Sequence, residues 1–326
     1  MLSLNSMIKE ARASYFASLI SSSKGNSSVL FKSIEHITAP APVPIPVFCN
    51  ADCNRLKDHF LDKVNRIRAN ISPPPALALT IPPAAVSSSL FSFSPVTLEY
   101  TLDLLRSFKP SSHPHDFLPL RIALDSFDIL GPTLVQMINL SLSSGVFPSP
   151  FKHAVIQPLL KKPNLDPSIP SNIRPISKLV LPSKLIEKAA AQQLSFFLSS
   201  HNLHDPLQSA YRKSHSTETA LLKVTSDLIM AADDGKCSVL VLLDLSSAFD
   251  TVDHNILLDR LSSIGLSSPA LNWFRSYLTG RTFAVSVGQF VSNTAPMSCG
   301  VPQGSVLGPL LFTLYMLPLG QILGVL

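Results

Sequence analysis

The chain has 326 residues, 46% of them hydrophobic and only 14% charged, against about 25% charged in an average protein. Lys and Arg number 26 and Asp and Glu 21, a net charge of +5 that suits a polyanion partner without requiring one. Cys49, Cys53, Cys237 and Cys299 complete neither a zinc site nor a disulfide framework, which points to a reducing, intracellular compartment.

Lys9, Glu10 and Arg12 interrupt any apolar core near the start, so the N-terminus does not read as a signal peptide. Residues 4–22 and 51–71 read as short amphipathic helices. In the second, Leu56, Phe60, Val64 and Ile67 recur at helical spacing, interspersed with Arg55, Lys57, Lys63, Arg66 and Arg68. That basic set suits either a nucleic-acid face or a solvated helix face, the latter favoured. Pro-rich runs at Ala39–Val47 and Ser72–Ala84 are expected to be extended spacers, and residues 1–90 a loosely packed leader.

Order rises beyond residue 90. Helices are expected from Ser94, with Leu98, Leu102 and Leu105 aligned, and over Pro132 to Ser144, stopped by Gly145. HAVIQPLLKK reads as a strand, LPSKLIEKAAAQQLSFFL as a helix and SVLVLLDL as a buried strand. HNILLDRLSSI is a helix, and SPALNWFRSYLTG is another with Ser268 as N-cap, Pro269 as first residue and Gly280 as terminator. TFAVSVGQFVS is a hairpin pivoting near Gly288. The uncharged stretch from Val306 to Leu326 is long enough to span a bilayer, but Gly308, Pro309, Pro318, Gly320 and Gly324 argue against a clean helix, and the stretch reads as core that has lost its cover. The mixture predicts an α+β fold, a sheet backed by helices.

Three stretches carry chemistry. In VLLDLSSAFDTVDH an apolar run ends on Asp244, and a buried carboxylate needs a partner such as a metal ion, although a lone acid at a strand end is more often a turn former or cap. GVPQGSVLGPLLF places Gly300, Gly304 and Gly308 four apart, with the Gln303 amide able to bond a base or sugar; an ordinary loop is the alternative. PLLKKPNLDPSIPSNIRPISKL sets Lys161, Lys162, Arg174 and Lys178 around a rigid turn, a triphosphate cradle or a solvated hairpin.

NIRPIS with its basic lead-in, QSAYRKSHSTETAL, LLDLSSAFDTVDHNILLDRL and GVPQGSVLGPLLFTLY, in this order, resemble the reverse transcriptase domain of LINE-type, non-LTR retrotransposons. The resemblance is specific over about 151–318 and looser over 51–150. It implies a partial right-hand polymerase: a helical, Pro-rich leader at 1–90, a helical extension at 91–150, fingers at 151–237 and a truncated palm at 238–326. It implies RNA-directed addition of deoxynucleotide triphosphates to a DNA primer on an RNA template, with two Mg ions. By position, Asp244 matches the catalytic, metal-binding aspartate, assisted by the Leu245 carbonyl. Phe249 matches the aromatic gate against a ribose 2′-hydroxyl. Lys161 or Lys162, with Arg174, matches the triphosphate clasp, and Gln303 and Gly304 the template contact. Arg212 and Lys213 fall in the nucleic-acid-binding block.

The family's Phe/Tyr-Ala-Asp-Asp tetrad should follow the Gln-Gly helix, but no acid occurs after Asp259. The Ala-Asp-Asp at 232–234 lies before the Asp244 strand and reads as a turn; Asp250 and Asp253 read as the start of the next helix. One carboxylate cannot hold two divalent ions, so the chain is expected to be an inert polymerase fragment, with Leu307, Leu310, Leu311, Leu314 and Tyr315 left exposed for want of palm strands. A non-catalytic nucleic-acid-binding remnant and a membrane protein held through 306–326 are the alternatives.

Overall fold

The structure is a computed structural model, and it describes residues 2–22, 31, 34, 49–71, 92–110 and 116–323. The Pro-rich runs Ala39–Val47 and Ser72–Ala84 lie outside the described residues. Two units divide the chain, one of Met1–Val47 with Leu160–Asn172, the other of Phe48–Leu159 with Ile173–Leu326.

In the first unit, helix α1 (Leu2–Ser22) forms as expected, but Met7, Ile8, Tyr15 and Ile20 on it are exposed. The segment Leu160–Asn172 is a turn closed by the Lys161 N–H, which donates to the Asn172 carbonyl at 2.9 Å.

The second unit opens with α2 (Asn50–Ala69), whose stripe of Cys53, Leu56 and Phe60 is buried. Helices α3 (Leu98–Arg106), α4 (Leu120–Asp125) and α5 (Phe127–Ser144) follow. Thr97 caps α3 by accepting from the Tyr100 N–H, three residues on from Ser94, because Pro95 holds the lead-in extended. Helix α5 starts at Phe127 rather than at the expected Pro132. Pro132 removes one backbone bond inside the helix, and burial of Phe127, Leu134 and Ile138 outweighs that loss. Gly145 ends it at φ 69°, as read from the sequence.

Strands β1 (His153–Leu160) and β2 (Ile173–Lys178) are followed by α6 (Leu181–Ser200), α7 (Thr217–Asp233), α8 (His254–Ser263) and α9 (Ala270–Leu278). Then come β3 (Arg281–Val287), β4 (Phe290–Val291), β5 (Ala295–Met297), α10 (Gly308–Tyr315) and α11 (Pro318–Leu323). The strands run β2-β1-β3-β4, with β5 also on β3. Strand β1 pairs in parallel with β3, His153 opposite Thr282 and Ile156 opposite Val285. The β3–β4 hairpin turns at Gly288, φ 60°, where the sequence placed it. Helix α9 starts one residue later than expected, with Pro269 rather than Ser268 at the N-cap position, and ends before Gly280.

Helix α6 runs through the core, with Leu185, Ile186, Ala189, Ala190, Leu194 and Leu198 fully buried. Against it lies an aromatic cluster. Trp273 stacks on Tyr277 and meets Phe93 and Phe147 edge-on at 5.6 and 5.5 Å, and its Nε1–H donates to Ser141 Oγ. Leu307, Leu311 and Leu314 are buried in this core, and Leu310 and Tyr315 pack on it half-buried. The expectation that these five stand exposed is therefore wrong. Helix α8 packs on α10 and contributes to their cover without further strands. Among the described residues no helix is long and apolar enough to cross a membrane, and Val306 onward is divided between α10 and α11.

The largest departure is at 238–245. Among the described residues Ser238–Leu245 forms no strand, and Val241, Leu242 and Leu243 are 70%, 84% and 78% exposed. A strand requires a ladder partner, and the five strands of the sheet pair only with one another. Helix α7, just before, likewise buries none of its described side chains.

Candidate nucleic-acid interface

Backbone hydrogen bonds bring three of the chemistry-bearing stretches together. The loop after Asp244 is turned by Ser247, at φ 54°, whose carbonyl accepts the Asp250 and Thr251 N–H groups. That loop is fastened to the glycine-rich stretch: the Val301 N–H donates to Phe249 O at 2.8 Å and the Gly300 N–H to Val252 O at 2.7 Å. His254 Nε2 lies 2.8 Å from Gly300 O, so that nitrogen carries the proton and donates. Gly300, at φ 83°, admits this approach, since a Cβ there would meet Asp250 O at 2.7 Å. Two residues beyond Val301, the Gln303 carbonyl accepts the Ser177 N–H at 2.7 Å, which joins the glycine-rich turn to β2, the strand carrying Arg174.

Phe249 is half-buried where these stretches meet. Its ring lies 5.1 Å from Phe312 and 6.2 Å from Tyr211, centroid to centroid. Tyr211, in the left-handed region at φ 58°, precedes Arg212 and Lys213, so the fourth stretch reaches the same place through its aromatic ring. A cleft of about 500 Å³ runs beside it, lined by Asn202, His204, Tyr211, Arg212, Lys213 and Leu310 among others. Arg212 is partly committed: its Nη1 donates to the Asp205 and Gln208 carbonyls. Lys213, Arg174 and Gly304 are exposed and Gln303 is half-buried. Lys161 and Lys162, in the other unit, are exposed on their turn.

Asp244 is not where the sequence reading put it. It stands exposed on the unpaired run, and Leu245 beside it is 53% exposed. The expected rigid strand that would aim this carboxylate is absent from the described residues for want of a pairing partner. Among the described residues no three His, Cys, Asp or Glu side chains converge. These residues do not fit a pair of magnesium ions. Asp234 turns the chain and pairs with Lys236 at 2.8 Å, as read, whereas Asp233 is still the last helical residue of α7 rather than a turn residue. Asp253 caps α8 by accepting from Asn255 and Ile256, also as read.

Three features bear on α2 and the acids around it. Arg68 Nη2 lies 2.7 Å from Asp253 Oδ2, which anchors the end of α2 to the start of α8. That hydrogen bond raises the Arg68 pKa; burial pushes the Asp253 carboxyl up, but Arg68 and the Ile256 and Asn255 amides hold it below its ordinary range. The Asn50 and Asn54 side chains accept from the Val291 and Asn293 N–H groups, so α2 is a strut on the β3–β4 hairpin. Asp250 is largely withdrawn from water, which pushes its carboxyl up to about 6, with Lys63 opposing.

Sequence reasoning missed Glu187 on α6. It is fully buried, and its Oε2 accepts the Val306 and Leu307 N–H groups at 2.9 and 3.2 Å. An acid in helical register with the buried Ser183, Ala190 and Leu194 is the signal that could have revealed it.

The family described as reverse transcriptase (RNA-dependent DNA polymerase) matches residues 160–324. The chain is 34% identical over 182 residues to a "Probable RNA-directed DNA polymerase from transposon BS" of Drosophila melanogaster, covering 56% of this chain and 20% of that protein. It is 31% identical over 224 residues to the RNA-directed DNA polymerase from mobile element jockey of the same organism, covering 68% of this chain and 24% of the relative. The similarity reaches a Pol polyprotein from retrotransposable element R2 of Popillia japonica, 27% identical over 223 residues, which are 68% of this chain and 30% of that protein. The chain thus spans less than a third of the length of these relatives.

Proposed function

Because the chain belongs to the reverse transcriptase (RNA-dependent DNA polymerase) family, we propose that it is the nucleotide- and template-handling portion of a LINE-type retrotransposon polymerase. On this reading 151–237 correspond to the fingers and the residues from 238 to part of the palm of a right-hand polymerase. The observation that carries the proposal is the hydrogen-bonded meeting of the Phe249, Gly300–Gln303 and Ser177 segments around one aromatic ring. These segments, drawn from stretches far apart in sequence, present an aromatic ring, a side-chain amide and bare glycine backbone close together, an arrangement that suits the lining of a base pair.

Each predicted residue then has a part. Arg174 offers the anionic triphosphate a two-pronged donor. Phe249, steadied between Tyr211 and Phe312, offers a rigid edge to the sugar. Gln303 and the bare backbone at Gly304 meet the nascent pair. Arg212 and Lys213, beside the cleft, neutralise backbone phosphates, and recognition is of A-form shape and 2′-hydroxyls rather than base sequence. Magnesium supports phosphoryl transfer in the family, but Asp244 and Leu245 in the described residues do not assemble its site. The activity proposed for this chain by itself is therefore binding of an RNA template with its DNA primer, without nucleotide addition.

Fluorescence anisotropy with a labelled RNA–DNA primer–template at several salt concentrations tests the proposal. Salt-sensitive binding, preferring the hybrid to duplex DNA, is the expected result. No binding at low salt would sink it. Primer extension with magnesium that Asp244→Asn abolishes would overturn the claim of binding without synthesis.

A further inference from the structure

The glycine-rich turn is held from two sides. On one side the Ser177 N–H donates to Gln303 O. On the other, the amides leading into α10 meet buried acceptors. Val306 and Leu307 donate to Glu187 Oε2, and Gly308 donates to Ser305 Oγ at 2.9 Å. Amides at a helix N-terminus have no acceptor within the helix, and a negative charge is favourable there. The same carboxylate oxygen accepts the Tyr277 hydroxyl at 3.3 Å, and Oε1 accepts Ser183 Oγ at 3.2 Å. Three of the four donors are buried, Val306 is half-buried, and Glu187 itself is fully buried, so it has no position from which to touch nucleic acid. Burial pushes the Glu187 carboxyl above its ordinary range, and the nearby Arg281 guanidinium, itself buried against the Tyr277 ring, opposes this together with the Leu307, Val306 and Ser183 hydrogen bonds.

We infer that Glu187 is a positioning residue for Gln303 and Gly304: by gripping the Val306 and Leu307 amides it fixes the turn that meets the template. This rests on the nucleic-acid reading above. Ser305 caps only the Gly308 amide and the N-cap position is Leu307, whose side chain offers no acceptor, so the Val306 and Leu307 amides take theirs from Glu187.

The test compares the full chain with Glu187→Gln and Glu187→Met, by amide hydrogen exchange and by anisotropy with the RNA–DNA primer–template. Gln reproduces the acceptor, with its NH₂ group donating to Ser183 Oγ. Met keeps the volume and removes every acceptor. In E187M, exchange at Val306 and Leu307 should quicken at least about tenfold while Leu257 in α8 stays protected, and hybrid affinity should fall roughly tenfold. E187Q should restore most of both, which a loss of general stability would not do. Should E187M fail to fold, Glu187→Asp keeps the charge opposite Arg281 but withdraws the carboxylate from both amides, and the same selective loss is expected. Unchanged exchange at Val306 and Leu307, unchanged affinity in a chain that has lost that protection, or E187Q as impaired as E187M would each overturn the inference. If the unaltered chain binds no hybrid, the nucleic-acid reading fails on its own, and the exchange rates still decide whether Glu187 holds the turn.

Discussion

Ser177 and Gln303 are joined backbone to backbone at 2.7 Å, and the next residue, Gly304, is seated so closely on β2 that a Cβ there would lie 2.5 Å from Ser177 O. The contact brings the Arg174 strand and the Gln303 turn into one rigid piece. It depends on a residue with no side chain. Gly304 has φ 120°, a conformation that glycine alone adopts without strain.

Gly304→Ala is accordingly expected to break the Ser177–Gln303 bond rather than merely crowd it, since the atom in the way is backbone. Strain in the disallowed region and the lost bond together should cost on the order of 2–4 kcal/mol. Urea unfolding of the alanine variant measures it. A change below about 0.5 kcal/mol, the size of an ordinary surface substitution, would show that the close approach is not made.

The exposed run gives a test of opposite sense. Val241 is 70% exposed. Val241→Asp should shift stability by no more than about 0.5 kcal/mol and should raise the concentration at which the chain stays monodisperse, because it interrupts an apolar segment of high β-propensity. A buried strand, as the hydrophobic pattern predicts, would instead lose several kcal/mol to an unpaired internal charge. Thermal melts and light scattering on the same samples separate the two.

Much of this architecture was legible because it is local. Helices α2, α6, α8 and α9 follow from apolar spacing, and the β3–β4 turn from Gly288. The four motif blocks were legible too, as was the cap made by Asp253. What failed was non-local. The run ending at Asp244 has the composition of a strand, but pairing is decided by a neighbouring backbone that the run itself does not encode. Leu307, Leu311 and Leu314 read as exposed because the core they join, with α8 packed on α10, comes from earlier chain. Glu187 was overlooked because its partners, the Val306 and Leu307 amides, become visible only once α6 and α10 are packed.

Arg212 and Lys213 are neighbours with different fates. Arg212 holds the Asp205 and Gln208 carbonyls, whereas Lys213 is exposed beside the cleft. Lys213→Ala should leave the melting temperature unchanged and lower the slope of log binding constant against log salt by about one. Arg212→Ala should also loosen the 205–212 loop and lower the melting temperature. Equal effects of the two on stability would refute the division of labour.

Asp250 carries a pH signature. Burial raises its carboxyl from 3.8 to about 6, while Lys63 pulls weakly the other way. Between these two values the folded chain keeps a proton that the unfolded chain has released. Folded stability from this group therefore falls as pH rises through that window, and the penalty is complete above about pH 7. The integral is about 3 kcal/mol, an upper bound for a group that retains some contact with water. Asp250→Asn cannot ionise and escapes the penalty. The stability of D250N relative to the unaltered chain should thus be smallest near pH 4, climb through pH 5 and 6, and level off above 7. Urea unfolding of both proteins across that range reads the difference directly, with all other titrating groups cancelling. A difference that stays flat, or shrinks as pH rises, would mean that the Asp250 side chain is solvated and that the loop from Ser247 to Asp253 is not packed against Gly300 and Val301 as described.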